Sequence, residues 1–271
     1  MPLFLAEATA LVRVMAFFLA WIGCWMPIAI PVAIAIRWHP QKPLEAGQKL
    51  PLLASLYLIA PLLLWAIAWV EGFPFDNYGL AWNPNFIIHL GLGLALGAMG
   101  ILILFAILSG LGWVNWSFSP ETKLLPTLLT TLLIGLWVSV TEELIFRGFL
   151  VNELQKDYPL SVAAIISSLI FALLHLVWER KETLPQIPGL WLMGLILVWA
   201  RCIDNGSLGL ASGLHAGWIW GIATIDTAKI INYNGKVSPW IVGWGNKPLA
   251  GAAGILCLLV TAVIISQFYL F

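Results

Sequence analysis

The stretch TLLIGLWVSVTEELIFRGFL, residues 131–150, reads as a membrane span with Glu142, Glu143 and Arg147 set inside it. A charge at the centre of a bilayer costs at least a few kcal/mol, so such residues face a bundle interior and mark a functional site by default. On a helix, Glu143 and Arg147 stand four residues apart in the favourable acid-first order and meet on one face. Glu142 is turned about 100° away from that pair. One carboxylate is thereby neutralised and held, while its neighbour is left as a candidate general base. A purely structural ion pair accounts for Glu143 and Arg147 but leaves Glu142 without a reason.

Little around this stretch would tolerate water. Of the 271 residues, 61% are hydrophobic and 10% are charged, and mean hydropathy is strongly positive, which no soluble domain of this size could present to solvent. An all-α polytopic membrane protein is expected. Stretches long enough to cross the hydrocarbon core, about 20 residues each, number eight: 11–36, 50–70, 86–112, 125–152, 159–177, 187–203, 207–224 and 249–270. Short loops join them into a single membrane domain, 1–271. Glu7 precedes the first basic residue, Arg13, and the apolar run that follows is long, so a retained first span is expected in place of a signal peptide. Pro27 and Pro31 should kink that span. Gly93 and Gly97 form a GxxxG face on the third, suited to close helix packing.

The charge pattern excludes one class and suggests an orientation. Basic and acidic residues balance at 13 each with no basic run, so nucleic-acid binding has no electrostatic support. Arg37, Lys42, Lys49, Lys123, Arg180, Lys181, Lys229, Lys236 and Lys247 follow odd-numbered spans, whereas Arg13, Arg147, Lys156 and Arg201 fall on the other side. The positive-inside rule then puts both termini outside the cytoplasm, with a bacterial-type plasma membrane as the default location. Trp38, Trp82, Trp178 and Trp240 at span ends fit an interfacial belt, while Trp191, Trp199, Trp218 and Trp220 lie deeper and are expected to pack. Cys24, Cys202 and Cys257 are far apart in apolar sequence, which suits small packing residues and gives neither a disulfide framework nor a zinc knuckle.

Two histidines follow the acid pair inside predicted spans. Ser168, Phe171 and His175 share a helical stripe, with His175 near the end of its helix. His215 is flanked by Gly213 and Gly217, which allow close approach of another backbone or of a substrate. His39 lies in a loop and His89 near the start of the third span. Two carboxylates, an arginine and two histidines permit two chemistries. Glu142 with His175 could deprotonate a water for attack on a peptide carbonyl, with His215 donating to the oxyanion. Alternatively, the histidines and a glutamate could bind zinc, which would activate the water. No HExxH, GxSxG or intramembrane Asp pair is present. A transporter would show related halves, and no internal repeat is visible.

At these residues the chain resembles the CPBP family of membrane proteins, also called Abi, which includes the CAAX prenyl endopeptidases and proteins linked to bacteriocin processing. Its EExxxR motif, commonly extended by Gly, matches Glu142, Glu143, Arg147 and Gly148; FxxxH matches Phe171 and His175. The third motif, HxxxN or HxxxD, is met by His215 alone, because Ile219 stands at its last position. The resemblance covers 124–225, and it implies an eight-helix bundle with an intramembrane cavity. It further implies a glutamate-type intramembrane endopeptidase needing no cofactor, with zinc as the earlier mechanistic alternative and a peptide or protein at the membrane as substrate. By the same carry-over, Glu142 and His175 activate water, Glu143 and Arg147 support the site and His215 stabilises the oxyanion. Because Ile219 has no donor, His215 is expected to act alone or with the indole N–H of Trp218 in its place. The alternative of another class is a non-catalytic membrane scaffold or immunity protein that keeps the polar cluster.

Overall fold

Glycine decides which helices form the centre of the molecule. The computed structural model describes residues 8–39, 45–118 and 123–267; Glu7, Lys42 and the side chain of Trp178 lie outside the described residues. Among these, eight helices have fifteen or more residues: α1 (Ala10–Ala35), α2 (Ala46–Glu71), α3 (Pro84–Gly110), α4 (Leu124–Glu143), α5 (Leu160–Leu174), α6 (Ile187–Ile203), α7 (Gly209–Ala228) and α8 (Ala252–Gln267). A Cβ on Gly97 would come within 3.1 Å of the Gly217 Cα and the Trp218 nitrogen, and one on Gly217 within 2.7 Å of the Ala98 nitrogen. The backbones of α3 and α7 therefore run in contact, side by side, with the glycines of one set against those of the other. The GxxxG on α3 is a packing face, and Gly213 and Gly217 meet α3 and not a substrate.

The remaining helices close around α7. Thr131 Oγ1 lies 2.8 Å from Thr224 Oγ1 and Trp220 Nε1 donates to the Leu128 carbonyl at 3.0 Å; with Glu143, at the end of α4, meeting His215 in the first half of α7, α4 runs antiparallel to α7. On α6, a Cβ at Gly194 would come within 2.6 Å of Ser168 Cβ, so α5 and α6 also pack closely. Ser168, two turns before His175 on α5, lies in the α5–α6 seam. The chain end of α1 is fixed by Arg13, which pairs with Glu153, and by the Ala10 amide, 2.5 Å from Asp157 Oδ2. Beyond α3 and α7, strands β1 (Val114–Trp116) and β2 (Ile231–Tyr233) form an antiparallel ribbon with Val114 opposite Tyr233, an element the hydropathy pattern does not announce.

Among the described residues, five helical segments are long and apolar enough to cross a membrane: Ala10–Ala35, Gly47–Glu71, Pro84–Gly110, Leu124–Leu154 and Arg180–Ile203. The other three long helices differ for physical reasons. Helices α5 and α8 are apolar but have only 15 and 16 residues, and α7 is buried along its first half, where it meets other helices and needs no lipid-facing side chains. Helix α1 runs continuously through Pro27 and Pro31, and α2 through Pro51 and Pro61. The tryptophans divide differently from expectation. Trp82 and Trp240 are exposed, as a belt requires, and Trp218 and Trp220 pack inside. Trp191 and Trp199 sit on the outer surface at 37% and 41% exposure, Trp199 donating at 3.0 Å to Ser266 Oγ of α8.

Candidate active site

Helix α4 does not stop at Glu143. It continues through one π-helical turn, Leu144–Leu150, and a last short segment, Val151–Leu154. A π turn is an insertion into the helix register, uncommon and concentrated at functional sites. Here two of its carbonyls take side-chain donors from neighbouring helices: Phe146 O from Ser167 Oγ at 2.8 Å, and Arg147 O from the Arg201 guanidinium. Arg201 also donates to Gly206 O at 3.1 Å and to Asn152 Oδ1 at 2.8 Å, so one buried guanidinium joins α4, the end of α6 and the turn leading to α7. Gly148 allows the Tyr78 segment to lie on this turn; a Cβ there would come within 2.8 Å of the Tyr78 carbonyl. Outside the helices, burial pushes the Tyr78 phenol up, with Glu71 and Glu153 adding in the same direction, so it stays neutral.

The geometry upstream of the π turn divides the two carboxylates. Arg147 is fully buried, and its Nη1 donates to Glu143 Oε1 at 3.0 Å. Its guanidinium also lies 4.4 Å from the Phe171 ring centroid, a cation–π contact that a dry site strengthens. The same Glu143 oxygen is 2.8 Å from His215 Nδ1. A carboxylate already accepting from Arg147 is an acceptor here too, so Nδ1 carries the proton. On the other side of the ring, His215 Nε2 lies 3.6 Å from Glu142 Oε2. His215 therefore stands between both carboxylates, which the helical spacing alone sends in different directions.

Glu142 is buried, with 5% exposure. Its Oε1 accepts a hydrogen bond from the Tyr57 hydroxyl of α2, while Oε2 has no hydrogen-bond partner among the described residues. His175 follows the last residue of α5, and its Nδ1 lies 2.8 Å from the Phe171 carbonyl. A carbonyl can only accept, so Nδ1 bears the proton and Nε2 presents a lone pair when the ring is neutral. The Phe171 ring explains why phenylalanine precedes this histidine by four residues. It is fully buried and meets His175 at 4.6 Å and His215 at 5.8 Å between centroids, with Arg147 over it.

Glu142, His175 and His215 line one cavity of about 470 Å³, together with Trp218, Ile219 and apolar side chains such as Met193. Gln186, Asp226 and Lys247 line it as well, and Lys247 Nζ is 3.0 Å from Asp226 Oδ2. These three residues belong to the end of the molecule that carries Lys123, Arg180, Lys181, Lys229 and Lys236. All five side chains singled out in the sequence are thus near one another. Glu142, Glu143, Arg147 and His215 form one bonded cluster, and His175 adjoins it across the cavity. No three His, Cys, Asp or Glu side chains among the described residues come together closely enough to hold a metal ion. Both histidines have Nδ1 committed to protein, which leaves one nitrogen each for any ligand.

Two participants escaped the sequence reading. Tyr57 bonds Glu142, and its signal was available: a phenol in mid-span, away from the interfacial belt where tyrosine is at home. Arg201 was counted only as a topological charge. Its signal is weaker, because a basic residue near a span end normally reaches for the interface, whereas this one turns inward.

These features define an α-helical integral membrane protein with an ionisable site inside its helix bundle. Residues 124–221 match the family model described as type II CAAX prenyl endopeptidase Rce1-like. The match starts at the first residue of α4 and runs past His215, so it contains both acidic residues, Arg147 and both histidines, and it agrees with the CPBP resemblance of the motifs. No curated protein and no solved structure matches the chain.

Proposed function

We propose that this protein is an intramembrane endopeptidase that hydrolyses a peptide bond with a water activated by Glu142 and His175. The observation that carries the reading is Glu142 Oε2: a buried carboxylate oxygen without a hydrogen-bond partner among the described residues, on a cavity that His175 and His215 also line, within the segment matched to an endopeptidase family. Tyr57 occupies Oε1 and so orients the carboxylate with Oε2 as its reactive oxygen. A water between Oε2 and His175 Nε2 would give up its proton to Glu142 as it attacks the carbonyl. Glu143 and Arg147 hold the His215 ring in place and fix Nδ1 as a donor. For His215 to donate to the oxyanion through Nε2, that nitrogen must be protonated as well.

The same reading extends to the membrane setting. All eight long helices cross the bilayer, the end bearing Lys123, Lys229, Lys236 and Lys247 faces the cytoplasm, and both termini lie outside it. The substrate is a peptide reached near that surface, where Gln186, Asp226 and Lys247 line the cavity. In the proposed mechanism Glu142 and His175 activate the water without a metal ion.

The test is incubation of detergent-purified protein with short peptides, with and without a prenylated cysteine, and mass spectrometry of the products. Cleavage by the wild type that Glu142→Ala abolishes is expected. Cleavage by that variant at the wild-type rate would remove the catalytic reading and leave a membrane scaffold or immunity protein. Metal analysis of the same sample decides the other branch: about one tightly bound zinc per chain would overturn the metal-free mechanism.

A further inference from the structure

The cluster leaves one question of chemistry open: what else stabilises the oxyanion. Ile219 lines the cavity and has no hydrogen to donate. Five buried side chains among the described residues carry polar hydrogens on atoms without a hydrogen-bond partner: Arg147, Ser168, Ser212, Trp218 and Tyr233. Arg147 is sealed under Phe171, Ser168 packs on Gly194, and Tyr233 belongs to the β-ribbon. Ser212 does not line the cavity. Trp218 does, and it is 5% exposed with its indole Nε1–H unpartnered. It follows His215 by three residues on α7, so the two side chains lie on the same face of the helix.

An indole N–H can only donate, and a buried donor left unpaired is costly. We propose that Trp218 is a catalytic residue whose Nε1–H donates to the carbonyl oxygen of the scissile peptide, beside His215, and so supplies the donor that Ile219 cannot. The proposal rests on the endopeptidase reading. In the step concerned, the water oxygen bonds to the carbonyl carbon, its proton passes to Glu142, and the carbonyl π electrons move onto the oxygen that Trp218 and His215 hold. When the C–N bond then breaks, the departing nitrogen takes the proton back from Glu142. The donor is fixed in place before the reaction, the arrangement in which such bonds contribute most.

Trp218→Phe keeps an aromatic ring and removes the donor. Replacement of Trp218 by benzothienylalanine, in which sulfur stands for N–H, keeps the shape as well. With a peptide that the wild type cleaves and Glu142→Ala does not, both changes should lower kcat on the order of a hundredfold, with KM changed less than about threefold. Ile219→Asn added to Trp218→Phe should recover at least tenfold of that, because an amide then enters the same cavity. A peptide aldehyde, whose hydrate mimics the tetrahedral intermediate, should shift the Trp218 indole N–H resonance in the wild type. Unchanged kcat in the benzothienylalanine protein, or an unmoved indole resonance with the aldehyde bound, overturns the proposal even though cleavage itself stands. Absence of cleavage by the wild type would instead remove the endopeptidase reading beneath it.

Discussion

Replacing Tyr57 by Phe deletes one oxygen from the site and nothing else of comparable size. Tyr57 and Glu142 are both buried, at 9% and 5% exposure, and the phenol hydroxyl is the donor to Glu142 Oε1. Oε2 already lacks a hydrogen-bond partner among the described residues, so the variant leaves the whole carboxylate without a neutral donor, with His215 Nε2 at 3.6 Å as its neighbour. Hydrogen bonds to charged groups contribute about 1.5–3 kcal/mol, and each 1.36 kcal/mol is tenfold in rate. If the carboxylate is the base, the loss should appear as a fall in kcat of about 10- to 100-fold. The thermal midpoint should move by only a few degrees, because the ring still fills its place against Trp137, 6.0 Å away between centroids. Steady-state cleavage in detergent, paired with thermal unfolding of the same preparation, measures both. Activity within twofold of wild type would show that Tyr57 does not orient the reactive carboxylate and would refute the reasoning.

Other perturbations follow from the same geometry. Arg201→Met removes three donated bonds and leaves the Arg147 carbonyl without its side-chain donor; after allowance for the desolvation that a buried guanidinium suffers, a loss of about 2–4 kcal/mol is expected in denaturant or thermal unfolding. Arg201→Lys should recover only part of it, since an ammonium cannot span the same three acceptors. Gly97→Leu would drive a side chain into the Gly217 and Trp218 backbone, separating α3 from α7 and destabilising by about 1–3 kcal/mol or more, with activity lost as His215 moves; wild-type stability would show that the two helices do not pack through these glycines. Ile219→Asn in the otherwise wild-type chain should leave cleavage equal or faster, whereas destabilisation with lost cleavage would mark a dry packing position.

Much of this was legible in the sequence for identifiable reasons. Helical spacing alone paired Glu143 with Arg147, because an i, i+4 contact is local and the acid-first order is favourable. Apolar stretches gave the helices to within a few residues, since a chain in lipid must bond its own backbone and helices do so most simply. What spacing could not supply was the long-range part. His215 bridges both carboxylates only because contacts such as Thr131 with Thr224 and Trp220 with Leu128 hold α7 against α4, and no local pattern encodes that approach. Tyr57 and Arg201 reach the site from α2 and α6, where one polar side chain in an apolar helix shows that a partner exists without showing which. Spacing placed Ser168 on the His175 stripe but could not show that it packs against Gly194 of α6. Trp191 and Trp199 lie deep in sequence but outside in space, since lipid accepts a large apolar ring as readily as a core does. The family match covers the same central segment and leaves α1 to α3 and α8 to be understood from packing.

The most direct measurement compares single-turnover cleavage of one peptide by the wild type and by Glu142→Gln, a substitution that keeps size and hydrogen bonding and removes the base. A fall of at least about a thousandfold, with peptide binding retained, is the expected result, given that a positioned general base contributes about 10²–10⁴-fold. Rates within tenfold of each other would contradict the assignment of Glu142 as the group that activates water.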